Sequence, residues 1–226
     1  MKQNFLSLLI LFLAISSGYS QSKFYNTYGA EMIFSFANIE DNGVDQESRM
    51  KWAPVLNIES YLNRDLSDKF GLFTGIAVRN VGYGYKNYFD EEAMKIYEKR
   101  FRSYNLGFPI GIKVGNLSEF FVFAAYEIDI PFAYKEKTYD DGAKIRKDIT
   151  WFSDRQQRFQ HGVMAGFQLT TGANVKFKYT FNEFHNQDYV DADGYKPYEG
   201  LKSNIFYVTM GFMLFRELDD NQGGTE

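Results

Sequence analysis

Cysteine is absent from this 226-residue chain, and histidine and tryptophan each occur only twice. Without cysteine there is no disulfide, no lipid-modified N-terminal cysteine and no thiolate metal site. Excess positive charge is missing too. Lys and Arg number 25 against 29 Asp and Glu, a formal net charge of −4. Binding a phosphate backbone needs clustered cations, so nucleic acid is not an expected partner. After Gln21 no apolar run approaches the ~18–20 residues that a membrane-spanning helix requires. What the chain does have is aromatic mass: 23 Phe and 17 Tyr bring the aromatic content to 19%. That excludes a disordered chain, and the length suits one domain or two small ones.

The first twenty residues read as an export signal. Lys2 supplies the positive start, Phe5 to Ile15 forms a short apolar run, and Gly18 and Ser20 satisfy the small-residue rule for cleavage after Ser20. The expected organisation is a signal peptide over 1–20, a barrel over 21–215 and a disordered periplasmic tail over 216–226.

From Phe24 onward, segments of about ten residues alternate with period 2, the mark of a strand with two unlike faces. One face carries Tyr28, Ala30, Met32, Phe34 and Phe36, then Trp52 to Ile58 by twos, then Leu72, Thr74, Ile76 and Val78. It continues by twos through Tyr104–Val114, Val122–Phe132, Phe159–Leu169, Val175–Phe181 and Phe206–Leu214. Pro54, Thr74 and His161 are its exceptions to apolarity, and no position carries a formal charge. The opposite face holds glycines such as Gly29, Gly71, Gly75, Gly107, Gly111, Gly162, Gly166 and Gly211, with amides and hydroxyls between them. It also holds eight charges: Glu31, Glu59, Arg79, Lys113, Glu127, Asp129, Lys176 and Lys178.

The connections alternate in length. Ala37–Arg49, Tyr83–Arg100, Ala133–Arg158 and Phe184–Lys202 are long, whereas Asn63–Lys69, Gly115–Glu119 and Thr170–Ala173 are short. Turn chemistry falls in the short ones, at Asn63-Arg64-Asp65, Gly115-Asn116 and Thr171-Gly172. Within one long connection, Asp90 is placed to cap a short helix over Glu91–Lys99. Eight strands with long and short loops in strict alternation predict an all-β, antiparallel, up-and-down transmembrane barrel with short periplasmic turns.

Volume decides which face points inward. An eight-stranded barrel has room inside only for filling side chains, and the Phe- and Tyr-rich face would overfill it. The glycine-rich face has the right volume. Lipid against the other face accounts for its lack of charge, because Lys or Arg at the bilayer midplane costs about 2–4 kcal/mol. A soluble lipocalin-like barrel would turn both faces the other way. The eight interior charges then need partners. Strand direction puts Glu59 and Lys113 near the periplasmic end, Glu31, Lys176 and Lys178 at mid-depth, and Arg79, Glu127 and Asp129 near the outer rim. A salt-bridge network that plugs the barrel is the expectation. Pro109, mid-strand, calls for a bulge, and Pro131 lies near a strand end.

The strings YLNRDLSDKFGLFTGIAVRNVGYGY (Tyr61–Tyr85), YNLGFPIGIKVGN (Tyr104–Asn116), FFVFAAYEIDIPFAY (Phe120–Tyr134) and FQHGVMAGFQL (Phe159–Leu169) resemble the small outer-membrane β-barrel family that includes PorT-like proteins. The resemblance implies an integral outer-membrane location, and for the PorT-like branch a part in protein secretion with a protein partner. The RELDDNQGGTE tail after Phe215 departs from barrels that end on a terminal aromatic.

Candidate chemistry is thin. His161 falls on the lipid face near a strand end, and His185 opens the last long loop beside Asp188, Asp191 and Asp193. No G-x-S-x-G motif accompanies them. Tyr189-x-Asp191-x-Asp193-Gly194 and Asn38–Gly43 match parts of a calcium loop, but Tyr189 replaces the first ligand and Glu199 misplaces the last. Tyr83, Tyr85, Tyr88, Tyr104, Tyr134, Trp151 and Phe152 read as an interfacial girdle. The expectation is a monomeric barrel in outer-membrane lipid, with no catalytic, cofactor or metal residues. A barrel hydrolase acting on lipid or peptide, or a soluble binder of an apolar ligand, is the alternative.

Overall fold

The computed structural model describes residues 24–91, 93–169 and 171–217. The expected signal segment and residues 218–226 of the expected tail lie outside them. Every described element is a strand. In chain order they are β1 (Phe24–Asp41), β2 (Val44–Gln46), β3 (Ser48–Arg49), β4 (Lys51–Ala53), β5 (Ile58–Ser67) and β6 (Phe70–Asp90). There follow β7 (Lys95–Asn116), β8 (Phe120–Asp140), β9 (Ala143–Trp151), β10 (Gln160–Leu169), β11 (Ala173–Glu183) and β12 (Leu201–Glu217).

Eight of these close a ring, each strand antiparallel to its neighbours: β1, β5, β6, β7, β8, β10, β11, β12 and back to β1. The closing seam is long, from Tyr25↔Glu217 to Asp41↔Leu201. It uses every backbone donor and acceptor that an open edge would leave to lipid. β12 thus runs two residues beyond Phe215, into the expected tail.

The alternation places the faces as expected. Of the apolar-face residues named above, none is buried, whereas all eight charged residues of the other face are. Ile110 is 73% exposed and Lys176 only 2%. The faces are those of a transmembrane barrel and the reverse of a lipocalin's. Glycine supplies interior room where bulk would collide. A Cβ at Gly107 would stand 2.8 Å from Glu127 Oε1 and 2.9 Å from Asp129 Oδ1.

Strand lengths differ around the ring, with β1 and β12 intermediate at 18 and 17 residues. β5, β10 and β11 have 10, 10 and 11 residues, just enough to cross a bilayer when tilted. β6, β7 and β8 have 21, 22 and 21. Their surplus of about ten residues carries one wall on the order of 30 Å further along the strands. Two expected loops are therefore mostly strand. Tyr83–Asp90 pairs back onto β7 with only a turn between, and β8 pairs with β9 from Ala133↔Trp151 to Asp140↔Ala143. The expected helix is not formed. Lys95–Lys99 lies in β7, and Asp90 Oδ1 accepts the Ala93 N–H at 3.0 Å in a turn. Cross-strand pairing of Tyr88 with Tyr97 and Phe89 with Ile96 outweighs one i,i+4 ion pair.

Two short turns move as well. Asn63-Arg64-Asp65 lies inside β5, with the turn at Asp68-Lys69, and Gly115-Asn116 ends β7, with the turn over Leu117–Glu119. The segment from Trp52 to Ile58 is broken. β4 pairs with Ile33–Ser35 of β1, and β5 starts only at Ile58, after Leu56 adopts φ 62°. Above that start β3 and β4 fill the gap between β1 and β6, and Ser35 Oγ donates to the Gly82 carbonyl at 2.6 Å. The expected bulge at Pro109 is absent. The β6–β7 ladder skips two rungs there and resumes in the same register, with Thr74 Oγ1 donating to the Pro109 carbonyl at 2.8 Å. Skipping rungs suffices because proline lacks only the donor. The bulge falls at Pro131 instead, between Asn105↔Pro131 and Tyr104↔Ala133.

Candidate functional site

The lumen is filled in layers. Nearest the short turns, Lys113 Nζ donates to Asp65 Oδ1 at 2.7 Å and to Tyr25 OH at 2.6 Å. Above it Tyr61, Phe73, Phe121, Phe123, Met164 and Met213 pack together. The cavity between these two layers is about 20 Å³, room for about one water.

At the waist sits the charge cluster. Arg79 Nε binds Glu31 Oε1 at 2.7 Å, Nη2 reaches Glu59 Oε2 at 3.2 Å, and Nη1 binds Glu127. Lys176 Nζ bridges Glu31 at 2.8 Å and Glu59 at 2.5 Å, while Lys178 bridges Glu127 and Asp129. Tyr61 stitches the centre together: its hydroxyl donates to Glu59 Oε2 at 2.6 Å and accepts from Arg79 Nη2 at 2.9 Å. Three cations and four carboxylates, contributed by β1, β5, β6, β8 and β11, thus share one level. A lone ion in such a place costs several kcal/mol, and mutual pairing offsets it.

Of the eight expected interior charges, the structure brings seven together and leaves Lys113 apart with Asp65. The three expected depths do not hold. Barrel strands tilt by about 35–45°, so residues at one height occupy different rungs. Glu59 stands near the outer start of β5 rather than its periplasmic end, because β5 begins at Ile58. Asp65 was hidden in an expected turn, and Tyr25 and Tyr61 carried no charge to mark them.

Over the cluster lies an aromatic crown. Tyr83, Tyr85, Tyr88 and Tyr134, expected at an interfacial girdle, are buried inside it. Tyr104, Trp151 and Phe152 remain at the outer surface, with Phe132 stacked on Trp151 at 6.0 Å. The loop after β11 folds inward over this wall. His185 stacks on Tyr198 at 4.2 Å, meets Phe101 edge-on at 4.5 Å, and its Nε2 lies 3.0 Å from Tyr83 OH. Burial among these rings pushes the His185 pKa down to about 3, against the pull of Glu136. Glu136 Oε2 accepts from Tyr134 OH at 2.9 Å and Tyr198 OH at 2.8 Å, and Lys99 Nζ reaches Oε1 at 3.0 Å. Burial would raise the Glu136 pKa, but the Lys99 charge and these hydrogen bonds outweigh it and hold the carboxyl below its ordinary value. Lys99 and Glu136 fell in expected loops. Continuing the period-2 reading of β7 back through Ser103 and Phe101 would have found Lys99, whereas Glu136 lies past a change of phase on β8.

The remaining candidates are scattered. His161 Nδ1 meets Tyr126 OH at 2.7 Å on the outer face. Asp188 and Asp193 are exposed, whereas His185 is buried. Asp191 Oδ1 accepts the backbone N–H groups of Asp193 and Tyr195 at 3.0 and 2.9 Å, shaping its own turn. Among the described residues, no three His, Asp or Glu side chains are grouped to hold a metal ion.

Closed pairing, an apolar exterior and an ionic interior define the class: an eight-stranded outer-membrane-type β-barrel. No family model and no curated protein matches the chain. Among solved structures it is similar to Ail, the attachment invasion locus protein of Yersinia pestis, in complex with sucrose octasulfate. There the TM-score is 0.41 at 7% identity, over 84% of this chain and 99% of that one. Neisserial surface protein A gives 0.40 at 12% identity, over 84% and 96%. OprG of Pseudomonas aeruginosa gives 0.37 at 11%, over 85% and 96%. Likenesses of this size say nothing of shared function, and the class rests on the pairing and the faces.

Proposed function

We propose that this protein is a sealed, monomeric outer-membrane barrel that neither conducts nor catalyses, and that serves as a fixed platform for a protein partner in the cell envelope. One observation carries the reading: the lumen is closed by an ion layer and two aromatic layers, while β6, β7, β8 and β9 rise beyond the bilayer as a rigid wall. A channel has no use for the plug, and an enzyme needs access that His185, fully buried and held neutral, does not offer. The PorT-like resemblance supplies the partner's context, a protein secretion machine.

Complementation tests this. In a deletion strain, His185→Phe should restore secretion of cargo to wild-type levels. A variant lacking the exposed arm 141–150 should insert normally yet fail to restore it. Full rescue by the armless variant would overturn the platform reading. Planar-bilayer recording should show no steady conductance, and a stable open channel would reject the sealed lumen.

A further inference from the structure

Just beyond the outer aromatic band, the wall carries cations that no carboxylate answers. Arg102 lies two residues from Tyr104 on the same face of β7, and Lys135 stands opposite it on β8. One step further, Lys137 is opposite Arg100 on one side and Lys147 of β9 on the other. Like charges directly opposite in a sheet are destabilising, and here three such pairs are adjacent. Arg100 has Glu98 at 2.6 Å. Among the described residues, no carboxylate lies within 4.0 Å of Arg102, Lys135, Lys137 or Lys147. Lys51, Arg100, Arg102, Lys135 and Lys137, with Phe101, line a recess of about 50 Å³. Burial and then the neighbouring cations hold the Lys135 pKa below its ordinary value, so the site repels itself when empty.

Height gives the occupant. Two residues along a strand span roughly 7 Å, so the patch stands about one headgroup above the Tyr104, Phe132 and Trp151 rings that mark the interface. On a chain of net charge −4, this is local positive charge at the depth of lipid phosphates. We infer that this recess on the outer wall, between β4, β7 and β8, binds the phosphate of an anionic outer-leaflet lipid.

The test uses the purified, refolded full-length mature barrel in detergent, with lipid A bearing both phosphates as the probe. Folding is checked by heat-dependent mobility on gels. The triple variant Arg102→Gln/Lys135→Gln/Lys137→Gln should bind lipid A at least about tenfold more weakly, since it removes three of the cations that line the recess. The control Lys95→Gln/Lys202→Gln removes exposed lysines that already pair with Asp140 and Glu40, and should bind as wild type. Dephosphorylated lipid A should bind the wild type weakly, and millimolar inorganic phosphate should not displace lipid A. Equal binding by the triple variant, equal binding of the dephosphorylated lipid, or displacement by inorganic phosphate overturns the inference. If the triple variant does not fold, Lys135→Gln and Lys137→Gln singly carry the same readout, and wild-type affinity in both overturns it.

Discussion

Two ion pairs of nearly equal length separate the waist from the rim. Lys176 meets Glu59 at 2.5 Å with both side chains shut away from water, and Lys95 meets Asp140 at 2.6 Å with half of its own side chain exposed. Distance does not distinguish them, but surroundings do. Water at the rim can replace either partner, so such pairs contribute little. At the waist no replacement exists, and removing one partner strands the other.

The comparison can be broken in order of size. Arg79→Met leaves Glu31, Glu59 and Glu127 without their common cation and should destabilise the barrel by about 3–5 kcal/mol in urea unfolding from vesicles. A loss under about 1 kcal/mol would place the waist among surface pairs. Lys178→Ala should cost about 3 kcal/mol, whereas Lys144→Ala, on the exposed arm, should stay within about 0.5 kcal/mol. Equal effects would reject the buried network. Lys113→Met should fall between, near 1 kcal/mol, because its partner Asp65 is 30% exposed and water can take over. Lys95→Ala should leave the unfolding midpoint unmoved.

The crown gives a pH-dependent contrast. His185 is neutral when folded, with its pKa depressed to about 3 against an ordinary 6.5. The unfolded chain therefore binds the proton first as pH falls. Stability contributed by the neutral ring is present above pH 6.5 and drains away toward pH 3. His185→Phe should flatten that part of the wild-type stability curve, as read by the difference between the two urea midpoints across the range. Parallel curves would mean that the ring is accessible to protons in the folded barrel.

Much of this was legible from Phe24 onward, since period 2 reports which face a residue takes without knowing its neighbour. That is why Ile110 and Lys113 were placed correctly from spacing alone. Neighbours across the barrel were not legible. The gathering of Glu59 and Glu127 on Arg79 depends on strand tilt and on where β5 begins, and a break at Pro54–Asn57 looks like strand in an alternating pattern. The crown was hidden for another reason. The bulge at Pro131 shifts the phase, so Lys135 and Lys137 turn outward while Tyr134 and Glu136 turn in, and an uninterrupted alternation stops matching there. The charge cluster's members could be named from sequence, but its single level could not.

A nitroxide scan along Phe108–Val114 tests the inside-out arrangement most directly, and a chain without cysteine admits single labels cleanly. In lipid vesicles, oxygen dissolved in the bilayer should relax labels at 108, 110, 112 and 114 strongly and those at 111 and 113 weakly, with a water-soluble nickel chelate reaching none of them. Strong relaxation by the nickel chelate at 110 and 112 would put the apolar face in water and contradict the account.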